Sequence, residues 1–237
     1  MSALLAIASR EVASAFRTPV GWVVIALFSL LGGIVFVAGL TPGEPASMRT
    51  FFSLSEWLLL PIAPAISMRL IADERRVGTL ETLVTAPVSD WQVAVGKYLG
   101  ALVFLALMLA PSLIYTGVLE WLSDPDLGPI LAGYLGLLLV GMLYLAVGLL
   151  ASTLTESQVV AFLGTLFFFL IVWLGGSQLA PRVPDAVAEV LYALSVFGRL
   201  GDFAKGIIDT EHIVFFVVTS CWFVALSAVA LEIRRWA

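Results

Sequence analysis

The sequence predicts an all-α integral membrane protein, on the basis of its composition, its hydropathy and the spacing of its polar breaks. Hydrophobic residues make up 61% of the 237 residues and charged residues only 12%, whereas charged residues are about a quarter of a soluble domain. Mean hydropathy is +1.06. A helix needs about 20 apolar residues to cross about 30 Å of hydrocarbon. We therefore predict one transmembrane domain, residues 1–237, with six transmembrane helices.

The first segment, residues 2–17, has the pattern of a helix that lies on the membrane surface. At 100° per residue its apolar side chains share one arc, opposite Arg10 and Arg17. The alternative is a signal peptide, because Ala13-Ser14-Ala15 has the form of a cleavage site. However, no positive charge precedes the apolar run, and Arg10 and Glu11 interrupt it. We expect an interfacial helix.

Six apolar stretches predict the membrane spans. Pro61 and Pro64 should kink or locally unwind the second span, and Pro111 should kink the third. The predicted spans are residues 20–40, 51–71, 94–119, 130–154, 159–174 and 212–231. Between the last two, residues 175–210 alternate prolines and glycines with apolar patches of about 10 to 14 residues, a length that predicts re-entrant or interfacial outer helices.

The distribution of Lys and Arg predicts the orientation. If the N-terminus is cytoplasmic, six spans place eight of the 12 basic residues inside and four outside, as the positive-inside tendency requires. The inside set is Arg10, Arg17, Arg69, Arg75, Arg76, Lys97, Arg234 and Arg235, and the outside set is Arg49, Arg182, Arg199 and Lys205. We expect both termini to be cytoplasmic.

One long polar interruption, from Arg69 to Lys97, must lie in water. Its charged residues include Asp73, Glu74, Arg75, Arg76 and Glu81. Residues 72–83 can form a short helix that ends before Pro87, and Ser89 can cap the helix that follows. A solvated connector would explain the charges, but it would not explain the apolar residues Leu80, Leu83 and Val84. We therefore predict a docking surface in residues 72–90.

The composition argues against catalysis by this chain. One histidine, His212, and one cysteine, Cys221, cannot supply a HExxH or CxxC metal site. A phosphate loop is missing too, because Trp91 stands where the first glycine before Gly96-Lys97 should be. We expect no catalytic residue, no metal site and no cofactor bound by this chain. The net charge of −5 argues weakly against nucleic acid as a partner.

Glu56 is a carboxylate inside the second predicted span. Burial of a carboxylate in a membrane is costly unless the group faces a cavity or a partner. Glu56 is therefore a candidate to line or gate a transport pathway. The alternative is that it lies close enough to the outer interface to be hydrated.

The polar interruption resembles a characteristic loop of the permeases of ABC-2 type transporters. The matching run is Arg69-Leu70-Ile71-Ala72-Asp73-Glu74-Arg75-Arg76-x-Gly78-Thr79-Leu80-Glu81-x-Leu83, followed by Ala86-Pro87-Val88-Ser89 and Gly96-Lys97. A second run, Leu194-Ser195 and then Phe203-Ala204-Lys205-Gly206-Ile207-Ile208-Asp209, resembles the family pattern before the last span. The resemblance covers nearly the whole chain. It is nearest to the compact permeases of gliding-motility and copper-enzyme-maturation transporters.

This resemblance implies a function. A permease of this kind is the transmembrane subunit of an ATP-driven transporter in the inner (plasma) membrane, it pairs with a second permease chain, and a separate nucleotide-binding subunit binds ATP and Mg. The loop between spans two and three would hold a cytoplasmic coupling helix that docks on that ATPase, and export is the expected direction. The residues implied at or beside the ATPase are Arg69, Asp73, Glu74, Arg75, Arg76, Gly78, Thr79 and Glu81.

Two other classes of function stay open. The chain could be an ATP-independent secondary transporter or channel that uses Glu56 as its ionisable site, or a structural anchor in a larger membrane machine. A co-purifying ATPase would favour the ABC transporter over both. Flux driven by an ion gradient without ATP would favour the secondary transporter.

Overall fold

The computed structural model describes residues 3–40, 47–77 and 89–235, and these ranges form a bundle of helices with no strand. Six helical stretches are long and apolar enough to cross a membrane. They are Pro19–Ala38, Arg49–Arg76, Asp90–Leu122, Leu127–Leu154, Gln158–Arg182 and Thr210–Ile233. The predicted all-α fold with six transmembrane helices is confirmed.

Eleven α-helices are numbered here in chain order through the described ranges. They are α1 (Ala3–Arg17), α2 (Pro19–Ala38), α3 (Arg49–Ser67), α4 (Ala72–Val77), α5 (Asp90–Leu109), α6 (Leu113–Leu122), α7 (Leu127–Leu154), α8 (Gln158–Leu174), α9 (Asp185–Leu194), α10 (Phe197–Ala204) and α11 (Thr210–Arg235). We call the end of the bundle that carries α4 the α4 end, and the opposite end the α10 end.

The prolines act differently in the two spans where a kink was expected. Helix α3 continues through Pro61 and Pro64. At Pro111, by contrast, a 3-10 turn, Ala110–Ser112, separates α5 from α6. A second irregular region follows α8, where a π-helical turn, Gly175–Leu179, and a 3-10 turn, Ala180–Arg182, lead into α9.

Helix α7 lies at the centre of the bundle. It packs against α3, α5, α8, α10 and α11 and is mostly buried. Its glycines allow close approach by side chains of three neighbouring helices. Those side chains are Phe52 and Ser67 of α3 at Gly133 and Gly148, Leu200 of α10 at Gly136, and Leu105 of α5 at Gly141. The glycines of α7 therefore allow tight packing against neighbouring helices.

Helix α1 packs along α5. At Gly96 an added Cβ would lie 2.9 Å from the Ile7 Cβ, and at Gly100 it would lie 2.7 Å from the Glu11 Cβ. The Gly96-x-x-x-Gly100 spacing thus admits α1. Opposite surfaces of the bundle, on α2, α8 and α11, expose many large apolar side chains, as expected of helices in lipid.

Candidate functional site

The junction between α3 and α4 is fixed by a single buried hydroxyl. Ser152, near the end of α7, accepts hydrogen bonds from the backbone N–H groups of Ile71 (3.0 Å) and Ala72 (2.9 Å). Its hydroxyl donates to the carbonyl oxygen of Met68 at 3.0 Å. These N–H groups begin a helix and have no partner within it. Ser152 therefore joins the start of α4 to the central helix.

Glu74 of α4 is the centre of an ion-pair network. Its Oε1 lies 2.9 Å from Lys97 Nζ of α5 and 2.9 Å from Arg10 Nη2 of α1. Lys97 Nζ also lies 3.3 Å from Glu11 Oε2. The Lys97 side chain is only 2% exposed, and a buried ammonium group needs paired carboxylates to offset the loss of water. The network therefore joins α4 to α1 and α5.

The residues on either side of Glu74 contact the turn between α7 and α8. Arg75 donates to the Thr153 carbonyl oxygen (3.0 Å) and to Glu156 Oε1 (3.2 Å). The side-chain amide of Gln158 donates to Asp73 Oδ1 at 2.7 Å. A helix of six residues is marginal on its own. These contacts with the rest of the chain hold α4 in place.

The predicted docking residues fall into four groups. Asp73, Glu74 and Arg75 are bonded within the chain, as described above. Arg76 is exposed, and within the described ranges it makes no hydrogen bond or ion pair. Arg69 is half-buried beside a small cleft that Glu11 also lines. Gly78, Thr79 and Glu81 lie outside the described residues. Contact of all eight residues with an ATPase stays a prediction.

The predicted N-cap at Ser89 is present. Ser89 Oγ accepts from the Gln92 backbone N–H at 3.2 Å, and the Gln92 side chain accepts from the Ser89 N–H at 3.1 Å. This reciprocal pair is a capping box. It fixes the start of α5, so α4 and the first turn of α5, on either side of residues 78–88, both have defined positions.

Glu56 lies inside the bundle, on α3. Its side chain is 3% exposed, so protein surrounds it. Glu56 Oε1, Ser55 Oγ and the Tyr144 hydroxyl, all buried, have no hydrogen-bond partner among the described residues. Glu56 is therefore enclosed by protein, whereas the sequence also allowed a hydrated position near the outer interface. A role in a pathway stays a prediction.

Several residues that build the site were not singled out by the sequence analysis. They are Glu11, Lys97, Ser152, Glu156 and Gln158. Lys97 did carry a usable signal, because an ionisable residue in an apolar helix needs a partner. Ser152 carried none, since a serine among small residues in a span is ordinary.

Comparison with known proteins agrees with this architecture. Residues 45–193, more than half of the chain, match the family described as ABC-2 family transporter protein. The probable multidrug ABC transporter permease YbhR of Escherichia coli is 30% identical over 111 residues. That match covers 47% of this chain but only 30% of the relative.

A second relative matches over more of its length. The probable ABC transporter permease protein NosY of Pseudomonas aeruginosa is 29% identical over 190 residues, which is 73% of this chain and 69% of the relative. The family match spans most of the helical bundle, from the segment before α3 to α9. This chain belongs to the ABC-2 transporter family.

Proposed function

We propose that this chain is the permease subunit of an ATP-driven ABC-2 transporter. It pairs with a second permease chain and with a separate ATPase subunit, and it moves a substrate out across the cell's inner membrane. The ATPase binds ATP and Mg, and this chain contributes the membrane pathway. Its family membership and the names of its relatives support this class of function.

The observation that carries the proposal is the anchoring of α4. The first four residues of α4, Ala72 to Arg75, are bonded to α1, α5, α7 and the α7–α8 turn. A force applied to α4 would therefore act on four parts of the bundle at once. Such a rigid attachment is what a subunit needs if a partner's movement is to change the packing of its spans.

Arg76 is the best candidate for direct contact with the ATPase among the described residues. It is exposed, whereas Glu74 and Arg75, the two residues before it, are bonded inward. Charged residues at the rim of an interface mainly set its register and association rate. The neighbouring residues 78–88, with Gly78, Thr79 and Glu81, would complete the contact.

The proposed orientation places the α4 end in the cytoplasm. An even number of spans puts both chain termini on one side, and the connections put α4 on that side too. Eight of the 12 basic residues then lie inside, which supports this choice. Lipid surrounds the exposed apolar faces of the bundle.

A direct test uses an ABC-type ATPase from the same source organism. Chain and ATPase are co-expressed, purified and placed in nanodiscs, and ATP hydrolysis is measured. We expect a stable complex with regulated hydrolysis in the wild type, and weakened association in Arg76→Glu. Arg49→Glu, at the α10 end, is the matched control and should bind normally. Equal binding by both variants would show that Arg76 does not contact the ATPase. If the chain forms a complex with no ABC-type ATPase, the proposal is overturned.

A second candidate function rests on Glu56. A carboxyl group that is 3% exposed and has an unpartnered oxygen is unusual in a membrane span. An ATP-independent secondary transporter or channel would use such a group to bind an ion or a proton. Liposomes that contain this chain alone distinguish the two: flux under an ion gradient without ATP, abolished by Glu56→Gln, would favour the second candidate.

A further inference from the structure

A second polar cluster lies at the α10 end, where α9, α10 and the start of α11 meet. Its centre is Arg199 of α10, which is 9% exposed. Arg199 Nη2 donates to the Ala193 carbonyl oxygen at 2.9 Å, and Nη1 lies 2.8 Å from His212 Nδ1. The guanidinium carbon also lies 4.1 Å from the centre of the Phe215 ring. Arg199 thus joins three helices.

The contact between Arg199 and His212 determines where the histidine carries its proton. A guanidinium group can only donate hydrogen bonds, so Nδ1 of His212 must accept. We therefore assign the proton of the neutral ring to Nε2. That N–H points to Asp202 Oδ2 at 3.3 Å, an acceptor that matches this assignment. His212 consequently bridges a donor and an acceptor that both belong to α10.

Asp202 is suited to accept that bond. Lys205 Nζ donates to Asp202 Oδ1 at 3.1 Å. This hydrogen bond, and to a smaller degree the one from His212, lowers the pKa of Asp202 below its ordinary value. Asp202 is therefore a carboxylate near neutral pH.

We propose that His212 is a proton-controlled latch between α10 and α11. In the neutral form, its Nδ1 holds Arg199. A proton added at Nδ1 turns that nitrogen into a donor and gives the ring a positive charge, so that two donors of like charge face each other at 2.8 Å. Arg199 must then move away, while the imidazolium keeps Asp202 as its partner. Histidine is the side chain that ordinarily changes charge between about pH 5 and 8.

In the part of the chain that the structure describes, few charged groups surround His212. The charged groups nearby are Arg199, Asp202 and Lys205 of the α10 segment, Asp209 of the linker, which accepts from the Glu211 backbone N–H, and Glu211 of α11, whose Oε1 lies 3.6 Å from Arg199 Nη1. When the Arg199–His212 contact breaks, the Glu211 carboxylate can accept a hydrogen bond from Arg199. Helix α7, which packs most extensively on α11, has no charged residue, and its titratable side chains are two tyrosines, Tyr134 and Tyr144.

The connection between the two helices permits relative movement. Helix α10 ends at Ala204, and Gly206, two residues later, has a φ of +86°, which places it in the left-handed region that glycine adopts without strain. The next three residues, 207–209, are exposed and lie outside any helix. The Arg199–His212 and Asp202–His212 contacts therefore supply polar links across a short exposed linker. The latch acts irrespective of the substrate that the chain moves.

The first test uses the fact that the chain has one histidine. Protein labelled with ¹⁵N-histidine and purified through a histidine-free tag should give a single imidazole spin system in nanodiscs. At pH 8 the nitrogen shifts should show the proton on Nε2, and lowering the pH to 5 should convert the ring to the doubly protonated form. A proton on Nδ1 at pH 8, or a ring that does not change over this range, would overturn the proposal.

The second test follows the movement itself. Spin labels are placed at position 198 on α10, where an added Cβ has no neighbour within 4 Å, and at position 218 on α11, after Cys221→Ser, and the distance distribution is measured at pH 8 and pH 5. We expect a shift or broadening at pH 5 in the wild type and an unchanged distribution in His212→Gln, which cannot gain the charge. A wild-type distribution that does not change, or an equal change in His212→Gln, would refute the latch. The wild-type measurements decide the matter even if the variant fails to fold.

Discussion

Lys97 Nζ lies 2.9 Å from Glu74 Oε1, although the lysine side chain is 2% exposed. The lysine belongs to a membrane-spanning helix, whereas the glutamate belongs to the short helix α4, beyond the predicted span 51–71. A pair in this position makes α4 a part of the bundle. The resemblance placed Glu74 at a partner ATPase. The pair with Lys97 shows that Glu74 also stabilises the structure of its own chain.

Replacement of Glu74 by Gln should destabilise the bundle. Removing one partner of a buried ion pair lowers the free energy of unfolding by about 3–5 kcal/mol. Because Glu11 remains 3.3 Å from Lys97, we expect a smaller loss, about 2 kcal/mol in the free energy of unfolding. Titration with sodium dodecyl sulfate in mixed micelles measures this quantity. Arg10→Gln is the control, since the Arg10 side chain is 57% exposed and should contribute about 1 kcal/mol or less.

A double variant separates the loss of the pair from a general disturbance. Removing both charges of a buried pair costs less than removing one. Glu74→Gln combined with Lys97→Met should therefore regain much of the stability lost in Glu74→Gln alone. If the double variant loses as much stability as the two single variants together, the result contradicts the pairing of Glu74 with Lys97.

Replacement of Ser152 by Ala should loosen the α3–α4 junction. The change leaves the buried N–H groups of Ile71 and Ala72 without the acceptor that the structure gives them. Each orphaned group costs about 1–3 kcal/mol. We expect a loss of about 2–4 kcal/mol and faster hydrogen exchange at these two amides. Ser227→Ala is the control, because within the described part of the chain that buried hydroxyl bonds only to the Phe223 carbonyl of its own helix. Equal losses in both variants would contradict the role given to Ser152.

Replacement of Gly148 by Ala should push α3 and α7 apart. A Cβ at this position would lie 2.7 Å from the Cβ of Ser67 on α3, and overpacking of this kind costs about 1–3 kcal/mol. Gly164→Ala on α8 is the control, because a Cβ there has no neighbour within 4 Å. The control should be neutral, or more stable by up to about 1 kcal/mol. A stable Gly148→Ala protein with unchanged packing would refute this contact.

The sequence predicted the fold class and the six spans because the span length and the hydrophobic run are local properties. It also predicted the Ser89 cap, which depends on residues three positions apart. The site was harder to predict. Glu74 and Lys97 are 23 positions apart, and nothing in the sequence shows which charge of the polar stretch faces the protein.

Two contacts depend on packing that the sequence does not show. The Gly96-x-x-x-Gly100 spacing is typical of a close helix contact, but only the structure shows that the contacting helix is α1. At the α10 end, Asp202 and Lys205, three positions apart, form a local ion pair. Arg199 and His212 were not connected in the sequence analysis, because their bond depends on how α10 turns back against α11 at Gly206.

Asp202 should give the protein a contribution to stability that acid removes. Its pKa in the folded protein lies below the ordinary value, chiefly because Lys205 donates to it. The folded form therefore releases the proton more readily than the unfolded form, so the stabilisation is complete above the ordinary pKa of about 3.9. It is lost as pH falls through the lowered folded pKa.

The melting temperatures of wild type and Asp202→Asn, measured from pH 7 to pH 2.5, check this prediction. The wild type should be the more stable at pH 7, and the difference should shrink below about pH 4. Lys205→Gln, which removes the main cause, should reduce the effect. A difference that is constant with pH would show that the Asp202 charge is not responsible.

The most direct test of the proposed function is a photo-crosslinking experiment in cells. A photoreactive amino acid is placed at Arg76 beside the α4 contacts, and in a separate variant at Arg49, an exposed arginine at the opposite end of the bundle. We expect position 76 to form an adduct with an ABC-type ATPase, in a yield that changes when the cells are depleted of ATP. Position 49 should form none. An ATPase adduct at position 49, or none at position 76 while the cells contain an intact transporter complex, would contradict the account.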